Sequence, residues 1–254
     1  MKKILSGLFA AALGCLTVPA FAAGDAVKLP SYDWSFEGVF GTYDKASMQR
    51  GLQVYKEVCS GCHSLDLVAF RNLLDLGYNA DEVKAFAADY TVEDGPNDEG
   101  EMFERNGIAA DYFPAPFPNE QAAAAANGGK APPDLSLMAK ARVGGPSFVR
   151  ALIGSDGYVD APEGFETGDL SYNKYFPGHL IAMAPPLSED AVEYSDGTPA
   201  TVEQMAADVS HFLMWAAEPK LEERKSTGIK VMIFLIIFTL VMYAAKRKVF
   251  AQVH

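Results

Sequence analysis

The pattern of apolar and polar positions gives the chain two greasy ends and a polar, loop-rich middle. Residues 231–245 read Val-Met-Ile-Phe-Leu-Ile-Ile-Phe-Thr-Leu-Val-Met-Tyr-Ala-Ala without a charge. At about 1.5 Å per helical residue this run is ~22 Å long, short of the ~30 Å hydrocarbon core of a bilayer. Counting back to Ser226 gives a span over 226–245, with Lys230 lifting its ammonium to the interface. Tyr243 and the cluster Lys246, Arg247 and Lys248 then fall where interfacial and basic anchors belong. The other end is built differently. Met1-Lys2-Lys3, an apolar run to about Val18 and the site Ala20-Phe21-Ala22 are the three parts of a secretory leader. Residues 1–22 are therefore predicted to be removed, residues 23–225 to be exported, 226–245 to span the membrane and 246–254 to form a cytoplasmic tail. A domain exported by its leader lies outside, so the tail stays in.

Between the ends the periodicity is helical where it is regular at all. Met48, Leu52, Tyr55 and Val58 or Cys59 recur on one side of a helix. Val202, Met205, Val209, Phe212 and Leu213 make a second stripe over 201–215, and Thr201 with Gln204 reads as its capping box. Residues 135–142 read as a helix, and so does the alanine run 122–126, ended by Asn127-Gly128-Gly129. Phe113-Pro114-Ala115-Pro116-Phe117-Pro118 excludes helix and central strand. No internal repeat and no strand run long enough for a real sheet is present. The fold class is mainly α with long inserted loops, plus one C-terminal transmembrane helix.

Charge changes the picture of the exported part. The 254 residues carry a net charge of −12, with no basic block, which argues against nucleic acid as a partner. All 33 acids lie between Asp25 and Glu223, while six of the 21 cations (Lys2, Lys3, Lys230, Lys246, Arg247 and Lys248) fall outside the exported domain, which therefore carries −18. Runs such as Glu93-Asp94 and Asp98-Glu99-Gly100-Glu101 are ordinarily solvated faces. A field of this size also draws in a basic partner and makes its arrival salt-dependent.

The chemistry sits at Cys59-Ser60-Gly61-Cys62-His63, which spells C-x-x-C-H, the attachment signature for haem c. Cysteines three apart share one face of a helical turn, so both sulfurs reach one edge of a porphyrin. His63, next in line, is placed as the proximal iron ligand. A thioredoxin-type pair would want a βαβ context, and a zinc site would want further cysteines or a histidine pair. Once the leader is gone, Cys15 is lost and only these two thiols remain.

Elimination narrows the sixth ligand. Met1 is in the leader, Met232 and Met242 are in the span, and Met48 lies on the helix that carries the cysteines. Met205 and Met214 fall in the stripe 201–215, where methionine ordinarily fills core. Met138 sits in another helical stretch and Met102 in an acidic loop. Met183 remains, between Pro177-Gly178 and Pro185-Pro186, in a loop that proline holds stiffly and that cannot be helix. His179 and His211 are its rivals. An iron closed on both faces by histidine and methionine passes electrons and has no open site for oxygen or peroxide. The chain is then no enzyme by itself.

Further residues carry a resemblance to a known family. They are Gly51-Leu52-Gln53-Val54-Tyr55-Lys56-Glu57-Val58-Cys59, Asp94-Gly95-Pro96-Asn97, Glu101-Met102-Phe103, Asp111-Tyr112-Phe113-Pro114 and Pro132-Pro133-Asp134-Leu135-Ser136. Tyr175-Phe176-Pro177-Gly178, Met183-Ala184-Pro185-Pro186 and Trp215-Ala216-Ala217-Glu218-Pro219 follow, before the anchor. In this order they resemble the cytochrome c1 family, the haem subunits of ubiquinol–cytochrome c oxidoreductases, over nearly all of the chain from about Arg50 to Lys248. The resemblance implies a cytochrome c-like haem domain with one covalent haem c on Cys59 and Cys62, and His63 and Met183 as axial ligands. It also implies that Arg142 lies near a haem propionate and that Pro133 packs on the haem edge. The implied partners are cytochrome b, a Rieske iron–sulfur protein that gives one electron, and a soluble basic cytochrome c that takes it. Some bacterial relatives carry a further disulfide in this domain, and no cysteine remains here to form one. The leader and short tail imply a bacterial inner membrane, with the haem domain in the periplasm. The competing readings are another membrane-anchored monohaem cytochrome of an oxidase or reductase complex, and an open-haem enzyme such as a peroxidase.

Overall fold

Helix α1, Lys45–Val54, starts where Asp44 caps it, its carboxylate accepting the Ala46 N–H at 3.0 Å. It packs against α6, Val202–Ala217, along the stripe of Met205, Val209, Phe212 and Leu213. The two backbones meet at Gly51. A Cβ there would lie 2.1 Å from the Asp208 carbonyl oxygen and 2.6 Å from Phe212 Cβ, so only glycine permits the approach. Next to it Arg50 grips the Asp208 carboxylate through Nε at 2.8 Å and Nη2 at 3.1 Å. Asp208 is 1% exposed, so the fork of Arg50 is what makes its burial tolerable. The structure in which these contacts occur is a computed structural model, and it describes residues 27–251. The leader assigned to 1–22 and the end of the tail, 252–254, lie outside the described residues.

Around this helix pair the chain winds in short pieces. A 3₁₀ helix covers Phe70–Leu76 and α2 covers Ala80–Ala88, with Asn79 and Glu82 forming a reciprocal cap. Strands β1, Thr91–Asp94, and β2, Phe103–Asn106, pair antiparallel with Thr91 opposite Asn106. Helices α3, Glu120–Ala126, α4, Met138–Ala141, and α5, Pro146–Ile153, follow, and α4 and α5 both pack on α6. Strands β3, Ser171–Tyr172, and β4, Leu180–Ile181, make a second antiparallel pair. These two small ladders are the sheet content of the described residues, in keeping with the sparse strand signal. The core is one cluster that joins Leu52, Tyr55, Phe70, Phe113, Phe212 and Trp215.

Two sequence expectations change in detail. Thr201 does cap α6, its hydroxyl accepting the Gln204 N–H at 3.2 Å, but Gln204 does not reach back. Its amide is engaged on the other side, Nε2 donating to the buried Asp208 carboxylate at 2.9 Å. The helix expected over 135–142 is shorter, since Asp134, Leu135 and Ser136 are committed to hydrogen bonds elsewhere.

The anchor is α7, Leu221–Val249, 29 residues without a break and about 44 Å long, enough to cross a bilayer. It begins five residues before the span drawn from the sequence. Leu221 is buried in the core, and Glu222 accepts the Tyr43 N–H at 2.8 Å. Lys225 Nζ donates to the carbonyls of Phe36 at 2.5 Å and Gly41 at 3.1 Å. The first turn of the anchor is thereby fastened to the strap 34–43, whose Trp34 donates to Ser147 Oγ on α5 at 2.9 Å.

Candidate haem site

At the end of α1 the ladder slips by one residue. Residues Tyr55–Cys59 form a π turn, with Ser60 N–H reaching the Tyr55 carbonyl at 2.8 Å. The Cys59 carbonyl then accepts from Cys62 N–H at 3.1 Å and His63 N–H at 2.9 Å, which curls the motif back under itself. Cys59 is half-buried and Cys62 exposed, and neither is in a disulfide. Burial pushes the Cys59 thiol up to about 12, and Cys62 beside it pushes the same way.

His63 is oriented by its neighbours. Its Nδ1 lies 2.8 Å from the carbonyl oxygen of Pro133. A carbonyl only accepts, so Nδ1 carries the proton. Burial holds the imidazolium below its usual range, with the Pro133 bond and Asp134 pulling the other way. In the neutral ring the free lone pair is then on Nε2, the form a metal takes. The backbone is fixed as well, for Tyr55 Oη donates to the His63 carbonyl at 3.1 Å. Asp134 ties the next residues. It accepts from Ser64 Oγ at 2.9 Å, Asp66 N–H at 2.8 Å and Ser136 N–H at 2.9 Å, while Leu135 N–H bonds the Ser64 carbonyl at 2.9 Å.

Met183 is half-buried, two residues beyond β4 and just before Pro185 and Pro186. Its carbonyl accepts from Tyr158 Oη at 3.0 Å. The other methionines are otherwise engaged: Met48 and Met205 are buried, Met138 and Met214 pack against the core, and Met102 is exposed. The rival histidines have structural tasks. His211 Nε2 lies 3.1 Å from Ser35 Oγ and 3.4 Å from Asp44 N, inside a cage of Trp34, Phe36 and Tyr43. His179 stacks on Tyr172 with ring centres 5.5 Å apart, in a left-handed backbone with φ of 62°.

The structure thus gathers Cys59, Cys62, His63 and Pro133 into one cluster and ties Met183 to Tyr158. Arg142 stands in the open, its guanidinium reaching the Ala141 carbonyl at 3.3 Å. Tyr55, Asp134 and Tyr158 hold the site without having stood out in the sequence as site residues. Asp134 lies inside a quoted motif, but its partners are about 70 residues away.

These donors fit a covalent haem. Two unpaired thiols, a neutral imidazole with Nε2 open and a half-buried thioether are the set required. Among the described residues no group of three His, Cys, Asp or Glu side chains is placed for a bare metal ion. A C-x-x-C-H turn of this kind, on a mainly helical domain with one membrane-length helix, defines a membrane-anchored c-type cytochrome.

A family model described as the Cytochrome C1 family matches residues 34–253. "Cytochrome c1" of Rhodospirillum rubrum is 48% identical over 244 residues, covering 89% of each chain. "Cytochrome c1 1, heme protein, mitochondrial" of Arabidopsis thaliana is 48% identical over 97% of this chain and 81% of the relative. "Cytochrome b/c1" of Bradyrhizobium diazoefficiens is 52% identical over 89% of this chain, which spans 36% of that longer relative. The chain belongs to the cytochrome c1 family. Proteins of this family bind a single covalently attached haem c and serve electron transport.

Proposed function

We propose that this protein accepts one electron from a Rieske iron–sulfur protein and passes it to a soluble basic cytochrome c, as a subunit of a quinol-oxidising complex with cytochrome b. Cys59 and Cys62 hold the haem through thioether bonds, and His63 and Met183 ligate its iron. The bound haem supplies a one-electron ferric–ferrous couple. The residues do the rest. Pro133 keeps the His63 proton on Nδ1 so that Nε2 keeps the lone pair that would ligate the iron, and Asp134 stiffens the segment that follows. Arg142, without an acidic hydrogen-bond partner among the described residues, supplies a cation for a propionate. The observation that carries the reading is the 2.8 Å bond from His63 Nδ1 to Pro133, which prepares the ring for iron beside two free thiols. The Bradyrhizobium relative, whose name joins cytochrome b to c1, supports cytochrome b as the neighbour.

The haem domain lies in the periplasm of a bacterial inner membrane, and the basic end of α7 lies in the cytoplasm. The deciding experiment purifies the complex from membranes, records its reduced-minus-oxidised spectrum and stains the denatured bands for haem. A c-type spectrum and a haem-stained band of this chain, co-purifying with cytochrome b and an iron–sulfur protein, are expected. A colourless chain with two alkylatable thiols would falsify the reading. The charge of −18 on the exported domain adds a kinetic expectation. Reduction of a basic cytochrome c slows as salt is added, and a flat salt profile means that the acids only solvate the surface.

A further inference from the structure

The two proposed iron ligands are held by different means, and the methionine side depends on one hydroxyl. Beyond α5 the chain turns through Gly154 and Gly157, the Gly157 N–H donating to the Gly154 carbonyl at 3.0 Å. A Cβ on Gly157 would lie 2.5 Å from the carbonyl oxygens of both Ala151 and Leu152, so this backbone sits directly on the end of α5. The hairpin that leads to Met183 hangs from the same place. Buried Asn173 donates from Nδ2 to the Leu152 carbonyl at 2.8 Å, and Lys174 N–H reaches the Gly157 carbonyl at 2.8 Å. Tyr158 follows Gly157 and spans from that fixed end to the carbonyl of Met183 at 3.0 Å.

We propose that Tyr158 is a positioning residue for Met183: its hydroxyl fixes the main chain from which the thioether reaches the iron. This rests on Met183 being the sixth ligand. A methionine side chain has three rotatable bonds and a weak, neutral donor, so its backbone must be placed for it. β4 alone is a poor anchor, being two residues long and ending before Met183. The double proline beyond it removes two N–H donors that would otherwise tie the loop down. A hydroxyl donating to the ligand residue's own carbonyl supplies the missing constraint.

The test uses the full chain in its membrane complex, with Tyr158→Phe and Met183→Leu side by side. In Tyr158→Phe the haem remains covalently attached, the sulfur-to-iron band of the ferric protein weakens and the reduction potential falls. The fraction of reduced protein that binds carbon monoxide rises about five- to tenfold, the shift expected for one lost hydrogen bond. A drop in thermal midpoint with band, potential and carbon monoxide inertness unchanged would make Tyr158 merely structural and overturn the proposal. Met183→Leu tests the underlying assignment separately. If it leaves the band intact, Met183 is not the ligand; if it abolishes the band while Tyr158→Phe leaves band, potential and carbon monoxide inertness unchanged, only the positioning role falls. Should Tyr158→Phe fail to accumulate, 3-fluorotyrosine and 3,5-difluorotyrosine at position 158 keep the ring and strengthen the donor stepwise. A potential that moves in that order is expected, and one that stays fixed overturns the role.

Discussion

The His63 and Met183 sides of the site differ in how many bonds hold them. On the histidine side the ring nitrogen, the residue's own carbonyl and the following Ser64, Asp66 and Leu67 are all engaged, by Pro133, Tyr55, Asp134 and Ser136. On the methionine side a two-residue strand pair and the Tyr158 hydroxyl carry the load. The contrast teaches where the site should give way. A ring that must present one nitrogen in one tautomer needs a rigid frame, whereas a flexible thioether tolerates a softer one. Ligand loss under stress is therefore expected on the Met183 side first.

The largest expected effect comes from removing that side outright. Met183→Leu should keep the haem on its cysteines, lower the potential and let the reduced protein take up about one carbon monoxide per haem. Optical titration with the gas checks it, and a protein still inert to carbon monoxide moves the sixth ligand elsewhere. Asp134→Ala attacks the rigid side. It strips partners from Ser64 Oγ, Asp66 N–H and Ser136 N–H, and should destabilise the domain by about 3 kcal/mol. Denaturant unfolding reads that loss, and the sulfur-to-iron band should survive in the folded fraction. A lost band at unchanged stability would reverse the order of stiffness argued above. The smallest effect belongs to Tyr55→Phe, which removes the hydroxyl from the His63 carbonyl at a cost of about 1 kcal/mol. With the ring still held by Pro133, its potential should stay near that of the parent protein. An equal shift in Tyr55→Phe and Tyr158→Phe would erase the distinction between the sides.

What the sequence makes legible follows the same division. Cys59, Cys62 and His63 fall within five consecutive residues, so their chemistry is readable without a fold. The stripe on α6 is readable because its period is long and regular. The π turn is not, since a single slipped hydrogen bond at Tyr55–Cys59 leaves no mark in the spacing of apolar residues. Nor is the true work of His211, whose partners Ser35 and Asp44 are more than 160 residues away along the chain. Met183 could be isolated only by elimination and by its prolines. Tyr158 carries no pattern at all, because one tyrosine after a glycine in a loop resembles any other.

The rooted start of α7 has a mechanical consequence. Leu221 is sunk in the domain, and Glu222 and Lys225 grip the strap before the helix leaves for the bilayer. Such a base acts as a mast stepped into a hull and not as a leash. The haem-motif domain therefore keeps a set height and heading relative to the axis of α7.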